Sequence, residues 1–127
     1  MRDRLLRWMP SLAWMGVIYA LSAQPTLPSL PEPWLDVLIK KSAHALAYGL
    51  LAWLYLWALR GNGPASDRLC ALSLALAVVY GATDEYHQSF VPGRTPRLLD
   101  VLVDGVGATL TMALERWRAR ARPPAPR

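Results

Sequence analysis

Asp84, His87 and Gln88 stand at i, i+3 and i+4, which places them on one face of any helix that carries them, with Glu85 turned partly aside. Asp100 and Asp104 follow one helical turn apart, and Lys41, His44 and Tyr48 recur upstream at i, i+3 and i+7. Paired carboxylates beside a histidine can exchange protons in general acid–base chemistry, accept hydrogen bonds from a ligand, or tie helices in register through ion pairs. All three uses stay open on spacing alone. The candidate catalytic groups are Asp84, Glu85 and His44. The candidate ligand-binding set is Lys41, His44, Tyr48, Asp84, Glu85, Gln88, Arg94, Asp100 and Asp104. The chain has no HExxH, no cysteine pair, no glycine-rich phosphate loop and no nucleophile elbow, so no metal set and no cofactor are assigned.

The elements that must position these groups are apolar blocks rather than amphipathic stripes. Four are expected as helices: Leu5–Ser22, Asp36–Leu59, Leu69–Ser89 and Leu98–Arg116. The second holds an 18-residue stretch free of Lys, Arg, Asp and Glu, from Ser42 to Leu59, whose flanking Lys41 and Arg60 can snorkel to an interface. The charge-free run Leu69–Thr83 has only 15 residues, or about 22 Å of helix against a hydrocarbon core of about 30 Å. A spanning helix there carries Asp84 and Glu85 into the outer part of the bilayer it crosses. Ionisable groups at that depth mark functional sites by default. The fourth block, with Asp100, Asp104 and Glu115, spans only if its aspartates have partners.

Composition bounds the rest. The 127 residues make one domain, 54% apolar, with six Trp. The expected fold is all-α, a four-helix polytopic membrane domain over residues 1–116, followed by a basic, proline-rich disordered tail at 117–127. With both termini cytoplasmic, ten of the 14 cations lie inside, leaving Lys40, Lys41, Arg94 and Arg97 outside. Trp8, Trp57 and Trp117 then fall near the inner interface and Trp34 near the outer one. The net charge of +5 reads as a juxtamembrane basic cluster facing lipid headgroups, not as a nucleic-acid surface. Arg2, Arg4 and Arg7 ahead of an apolar stretch ending at Ala20-Leu21-Ser22 resemble a signal peptide, but three further apolar segments favour a first spanning helix. Lone Cys70 reads as packing.

Between the first two segments, Gln24–Pro33 carries four prolines in ten residues and forms an extended strap, either a plain connector or a lid. Gly61–Ser66 is a turn cluster, and Phe90–Pro96 is a tight turn that stops the third helix at Pro92. This topology gathers Lys40, Lys41, Arg94 and Arg97 with Asp84, Glu85, Asp100 and Asp104 at one end, four cations against four acids.

Several of these strings together resemble the VanZ-like family of small polytopic bacterial membrane proteins. They are Ser22-Ala23-Gln24-Pro25, then Lys41, His44 and Tyr48, then Asp84, Glu85, Gln88, Phe90, Pro92, Gly93 and Arg94, and last Asp100 with Gly107. Asp104 stands where the family pattern has Asn, so an amide donor becomes a carboxyl. The resemblance implies a multi-pass protein of the bacterial cytoplasmic membrane, in a family named for a member linked to resistance to teicoplanin, a lipid-tailed glycopeptide. Some relatives carry enzyme names such as phosphotransbutyrylase, which no residue here supports. The leading expectation is a non-enzymatic envelope protein that binds an outer-face ligand, a lipid-linked wall precursor or a lipoglycopeptide, with membrane lipids as its other partners. The alternatives are an intramembrane enzyme acting on a lipid headgroup and a structural subunit of a membrane assembly.

Overall fold

The computed structural model describes residues 5–121 and is all-α. Its four helices are α1 (Met9–Ser22), α2 (Pro33–Arg60), α3 (Asp67–Gln88) and α4 (Leu98–Ala121). Each boundary has a local cause. Proline occupies the first turn of α1 and of α2, where a missing N–H is no loss. Ser66 Oγ accepts the Leu69 N–H at 3.3 Å and caps α3. Gly61 ends α2 at φ +61°, and Gly93 turns the chain at φ +81° between α3 and α4.

Two of these bounds differ from the sequence expectation in ways that matter. Helix α4 continues past Arg116 to Ala121, into the basic segment expected to be disordered. Positive charge suits a helix C-terminus, and Arg116 and Arg120 are anchored on Asp67, at 2.8 and 3.7 Å. The remainder of the expected tail, 122–127, lies outside the described residues. Helix α1 has 14 residues, roughly 21 Å, which is short of a bilayer's hydrocarbon core of about 30 Å. Helices α2 and α3 are long and apolar enough to cross a membrane.

The bundle is inverted relative to a soluble one. Leu46, Val79, Leu102, Val106 and Leu110 are exposed on its flanks, whereas Asp84, Glu85, Gln88, Asp104 and Glu115 are buried. Internal hydroxyls return to their own helices: Ser73 Oγ donates to the Leu69 carbonyl at 2.8 Å and Thr111 Oγ1 to the Gly107 carbonyl at 3.0 Å. Trp34 and Trp117 face outward as an aromatic belt requires. Trp8 does not; it packs on Tyr55, with ring centroids 6.0 Å apart.

Small residues decide the packing. Helices α2 and α4 run in the same direction and meet where Ala45 and Gly49 face Gly107 and Thr111. A Cβ on Gly107 would overlap the Ala45 carbonyl, and one on Gly49 would lie 2.7 Å from Thr111 Oγ1. This is the small-xxx-small approach that lets membrane helices gain close van der Waals contact. Helix α1 is held more lightly, by Trp14 Nε1 donating to the Ala47 carbonyl at 2.9 Å and Tyr80 Oη donating to the Met15 carbonyl at 2.7 Å.

Gly107→Ala is therefore expected to destabilise the bundle by about 3 kcal/mol or more, since the new atom meets backbone rather than a movable side chain. Gly105→Ala, whose Cβ would rest 3.7 Å from Val78 Cγ2, is expected to be neutral. Thermal melting of both variants in detergent checks the contrast.

Candidate functional site

The α2–α4 approach brings two polar pairs into contact. Lys41 pairs with Asp100, and one turn along, His44 Nδ1 lies 3.1 Å from Asp104 Oδ1. The i, i+3 spacing on α2 thus meets the i, i+4 spacing on α4 rung by rung. Deeper in, Tyr48 stands beside Asp84 and Asp104. Gly81 makes this possible: a Cβ there would come within 3.3 Å of Tyr48 and 3.4 Å of Asp104. From α3, Gln88 Nε2 donates to Asp84 Oδ2 at 3.3 Å. Glu85 Oε2 accepts the Arg97 backbone N–H at 3.0 Å, which fixes the start of α4.

These groups border a cleft of about 330 Å³ under the proline strap. Its walls are apolar, from Ile18, Leu21, Leu27, Val37, Ala43 and Ala47. Lys41, His44, Tyr48, Asp84, Gln88, Arg94 and Asp100 of the expected ligand set reach it. Asp104 and Glu85 do not; they stand behind, on His44 and on the Arg97 backbone. His87 also turns away. It stacks on Tyr19, with centroids 4.6 Å apart, and lines a second cavity of about 190 Å³ with Tyr80, Thr83 and Asp84.

The expected four-against-four balance of charge does not form. Lys40 is taken by Asp36 at 2.8 Å, an acid outside the expected set, and by Ser29 Oγ at 3.1 Å. Arg94 is spent on backbone: its Nε donates to the Gln24 carbonyl at 2.9 Å and its Nη2 to the Leu21 carbonyl at 3.1 Å. Of the four expected cations, only Lys41 pairs with one of the four expected acids. Three buried oxygens on cleft-lining residues have no partner at good hydrogen-bond geometry, Ser22 Oγ, Tyr48 Oη and Asp84 Oδ1, although Tyr48 stands near enough to Asp84 to act as its donor; His87 Nδ1, at the second cavity, is likewise unpartnered. Among the described residues, no group of three His, Cys, Asp or Glu side chains is placed to hold a metal ion.

The expected ligand set leaves out Ser22, Arg97 and the apolar wall, although Arg97 is gathered with the other cations and Ser22 opens the Ser22-Ala23-Gln24-Pro25 string. Wall residues such as Leu21 and Val37 stay exposed and look like any lipid-facing residue in the sequence. Gly81 offered a signal, since it sits three residues before Asp84 on the same helical face.

A small all-α bundle with an apolar exterior, two helices able to cross a membrane and a polar interior at one end defines the class. Within that class, the chain belongs to the VanZ/LLP1 family, whose sequence model matches residues 3–118. No curated protein and no solved structure matches it.

The Arg94 contacts clasp the end of α1 and the strap to the α3–α4 turn, where Gly93 also presses on the Pro25 carbonyl. Arg94→Ala is expected to loosen this clasp by about 1–3 kcal/mol, the range for hydrogen bonds from a charged donor. Faster amide hydrogen exchange in residues 23–33 is the readout. Arg94→Lys should restore little, because a single ammonium lacks the planar fork that reaches both carbonyls.

Proposed function

We propose that this VanZ/LLP1 chain is a multi-pass protein of the bacterial cytoplasmic membrane that binds an envelope ligand in its cleft. The observation that carries this reading is the cleft itself: an apolar pocket whose floor holds Ser22 Oγ, Tyr48 Oη and Asp84 Oδ1 without partners. Native interiors pair nearly all buried polar groups, so three leftovers in one cleft fit a site built to receive donors. In this reading Lys41, His44, Tyr48, Asp84, Gln88 and Asp100 face the ligand, while Arg94, Glu85 and Asp104 hold the frame. The ligand is a lipid-linked wall precursor or a lipoglycopeptide, and its capture modulates the response to glycopeptide antibiotics such as teicoplanin.

The four helices cross the membrane with both ends in the cytoplasm, and α1 completes its span with the residues before Met9. Charge asymmetry supports this orientation. Arg7, Arg60, Arg116, Arg118 and Arg120 gather with Asn62, Asp67 and Glu115 at the end opposite the cleft. Fluorescent-protein fusions at either end are expected to glow and alkaline phosphatase fusions there to stay inactive; an active phosphatase at either end overturns the topology.

A second reading has one specific support. His44 gives Nδ1 to a carboxylate and leaves Nε2 with no protein partner at the cleft, the arrangement of a histidine oriented for proton transfer. An intramembrane enzyme acting on a lipid headgroup would use Asp84 as base and His44 as proton partner. Turnover of an envelope lipid by purified protein, lost in Asp84→Asn, would favour it.

At matched membrane abundance, Tyr48→Phe is expected to weaken ligand capture by about 1 kcal/mol, roughly fivefold. Asp84→Asn should weaken it further. Both are scored by sensitivity to envelope-targeting antibiotics, a lipoglycopeptide included. Sensitivity that moves only in step with abundance would mean these residues hold helices together and bind nothing.

A further inference from the structure

We propose that the cleft takes an aminophospholipid, a lipid whose headgroup joins a primary ammonium to a phosphate; this inference rests on the reading of the cleft as a ligand site and assigns it a bilayer phospholipid in place of a wall precursor or a lipoglycopeptide. The floor selects the ammonium. Asp84 is 5% exposed, gives Oδ2 to Gln88 and leaves Oδ1 unpartnered. A carboxylate oxygen accepts hydrogen bonds, so the partner that Oδ1 lacks is a donor. Three of the four cations that line the cleft are already engaged, Lys41 by Asp100, Lys40 by Asp36 and Ser29, and Arg94 by two carbonyls, which leaves Arg97. Glu85 and Asp104, 7% and 2% exposed, add negative potential behind the floor.

A neutral donor would leave that potential uncompensated, whereas a cationic one forms the stronger, charge-assisted bond. A primary ammonium carries three N–H donors. Residues that line the cleft carry three unpartnered oxygens, Asp84 Oδ1, Tyr48 Oη near it, and Ser22 Oγ. A choline headgroup brings the charge but no N–H. A glycerol or sugar headgroup brings donors but no charge.

The rim selects the phosphate. Arg97 lines the cleft, and its guanidinium makes no ion pair or hydrogen bond among the described residues. Its backbone is fixed by the bond to Glu85, so the side chain projects from an anchored point. A guanidinium fork matches phosphate oxygens. The walls select the tail. Leu21 and Val37 line the cleft and are 56% and 54% exposed, which continues its apolar surface onto the flank where an acyl chain would lie in the bilayer.

The test uses purified wild-type protein in detergent, with bound lipid quantified by native mass spectrometry. The probes are phosphatidylethanolamine, its N-methyl and N,N-dimethyl forms, phosphatidylcholine and phosphatidylglycerol, all with the same acyl chains. Retention is expected to fall as each N–H is replaced by methyl, by at least about tenfold from first to last, with phosphatidylglycerol also weak. Asp84→Asn should flatten the series, and Arg97→Gln should weaken every phospholipid while keeping the order. Equal retention of phosphatidylethanolamine and phosphatidylcholine, or preference for phosphatidylglycerol, overturns the ammonium assignment and leaves ligand binding standing. No retention of any probe, together with silent Tyr48→Phe and Asp84→Asn phenotypes at matched abundance, overturns both.

Discussion

The close approach of α2 and α4 at Ala45, Gly49 and Gly107 is the contact on which the rest of the structure depends. Only where Gly107 presses its backbone against the Ala45 carbonyl can the side chains one and two turns away reach across. Lys41 then meets Asp100, and His44 meets Asp104. A larger residue at that contact would part the helices, and both polar pairs with them. In the proposed four-span arrangement no water-driven force pulls apolar faces together, so dispersion at a tight backbone contact would supply much of the association. The polar pairs add register to what the small residues bring together.

Register alone does not account for the polar interior. A network that only locks helices is expected to satisfy its own members, because each unpartnered group in a low-dielectric interior weakens the bundle. Here the two rungs between α2 and α4 are closed, while the layer beside them keeps Ser22 Oγ, Tyr48 Oη and Asp84 Oδ1 without partners. The closed rungs and the Arg94 clasp surround the open oxygens and fix them in place. Supporting groups that are fully bonded around a few that are not is the pattern of a preorganised site.

The helices and their polar end were legible in the sequence because both rest on local rules. Apolar blocks, first-turn prolines and turn glycines bounded the helices, and i, i+3 and i, i+4 spacing placed Lys41 with His44 and Asp100 with Asp104. What each charge would choose as partner was not legible. Arg94 looked like a ligand contact because it is a cation near acids, yet backbone carbonyls at the end of α1 captured it. Lys40 found Asp36 one turn before it, a pairing that counting charges at a distance overlooks. His87 shares a face with Asp84 on a helical wheel, but Tyr19 of α1 draws its ring to the other side. Partner choice depends on which backbone atoms and rings arrive from elsewhere in the chain, and spacing within one helix does not encode that.

Asp104 shows how one residue changes what its neighbour presents. An asparagine there could donate or accept toward His44 and leave the imidazole tautomer open. A carboxylate accepts only, so His44 must offer it an N–H from Nδ1. With Nδ1 held in this way, Nε2 is the ring nitrogen left for the cleft, so Asp104 fixes how His44 is presented without itself reaching the cleft.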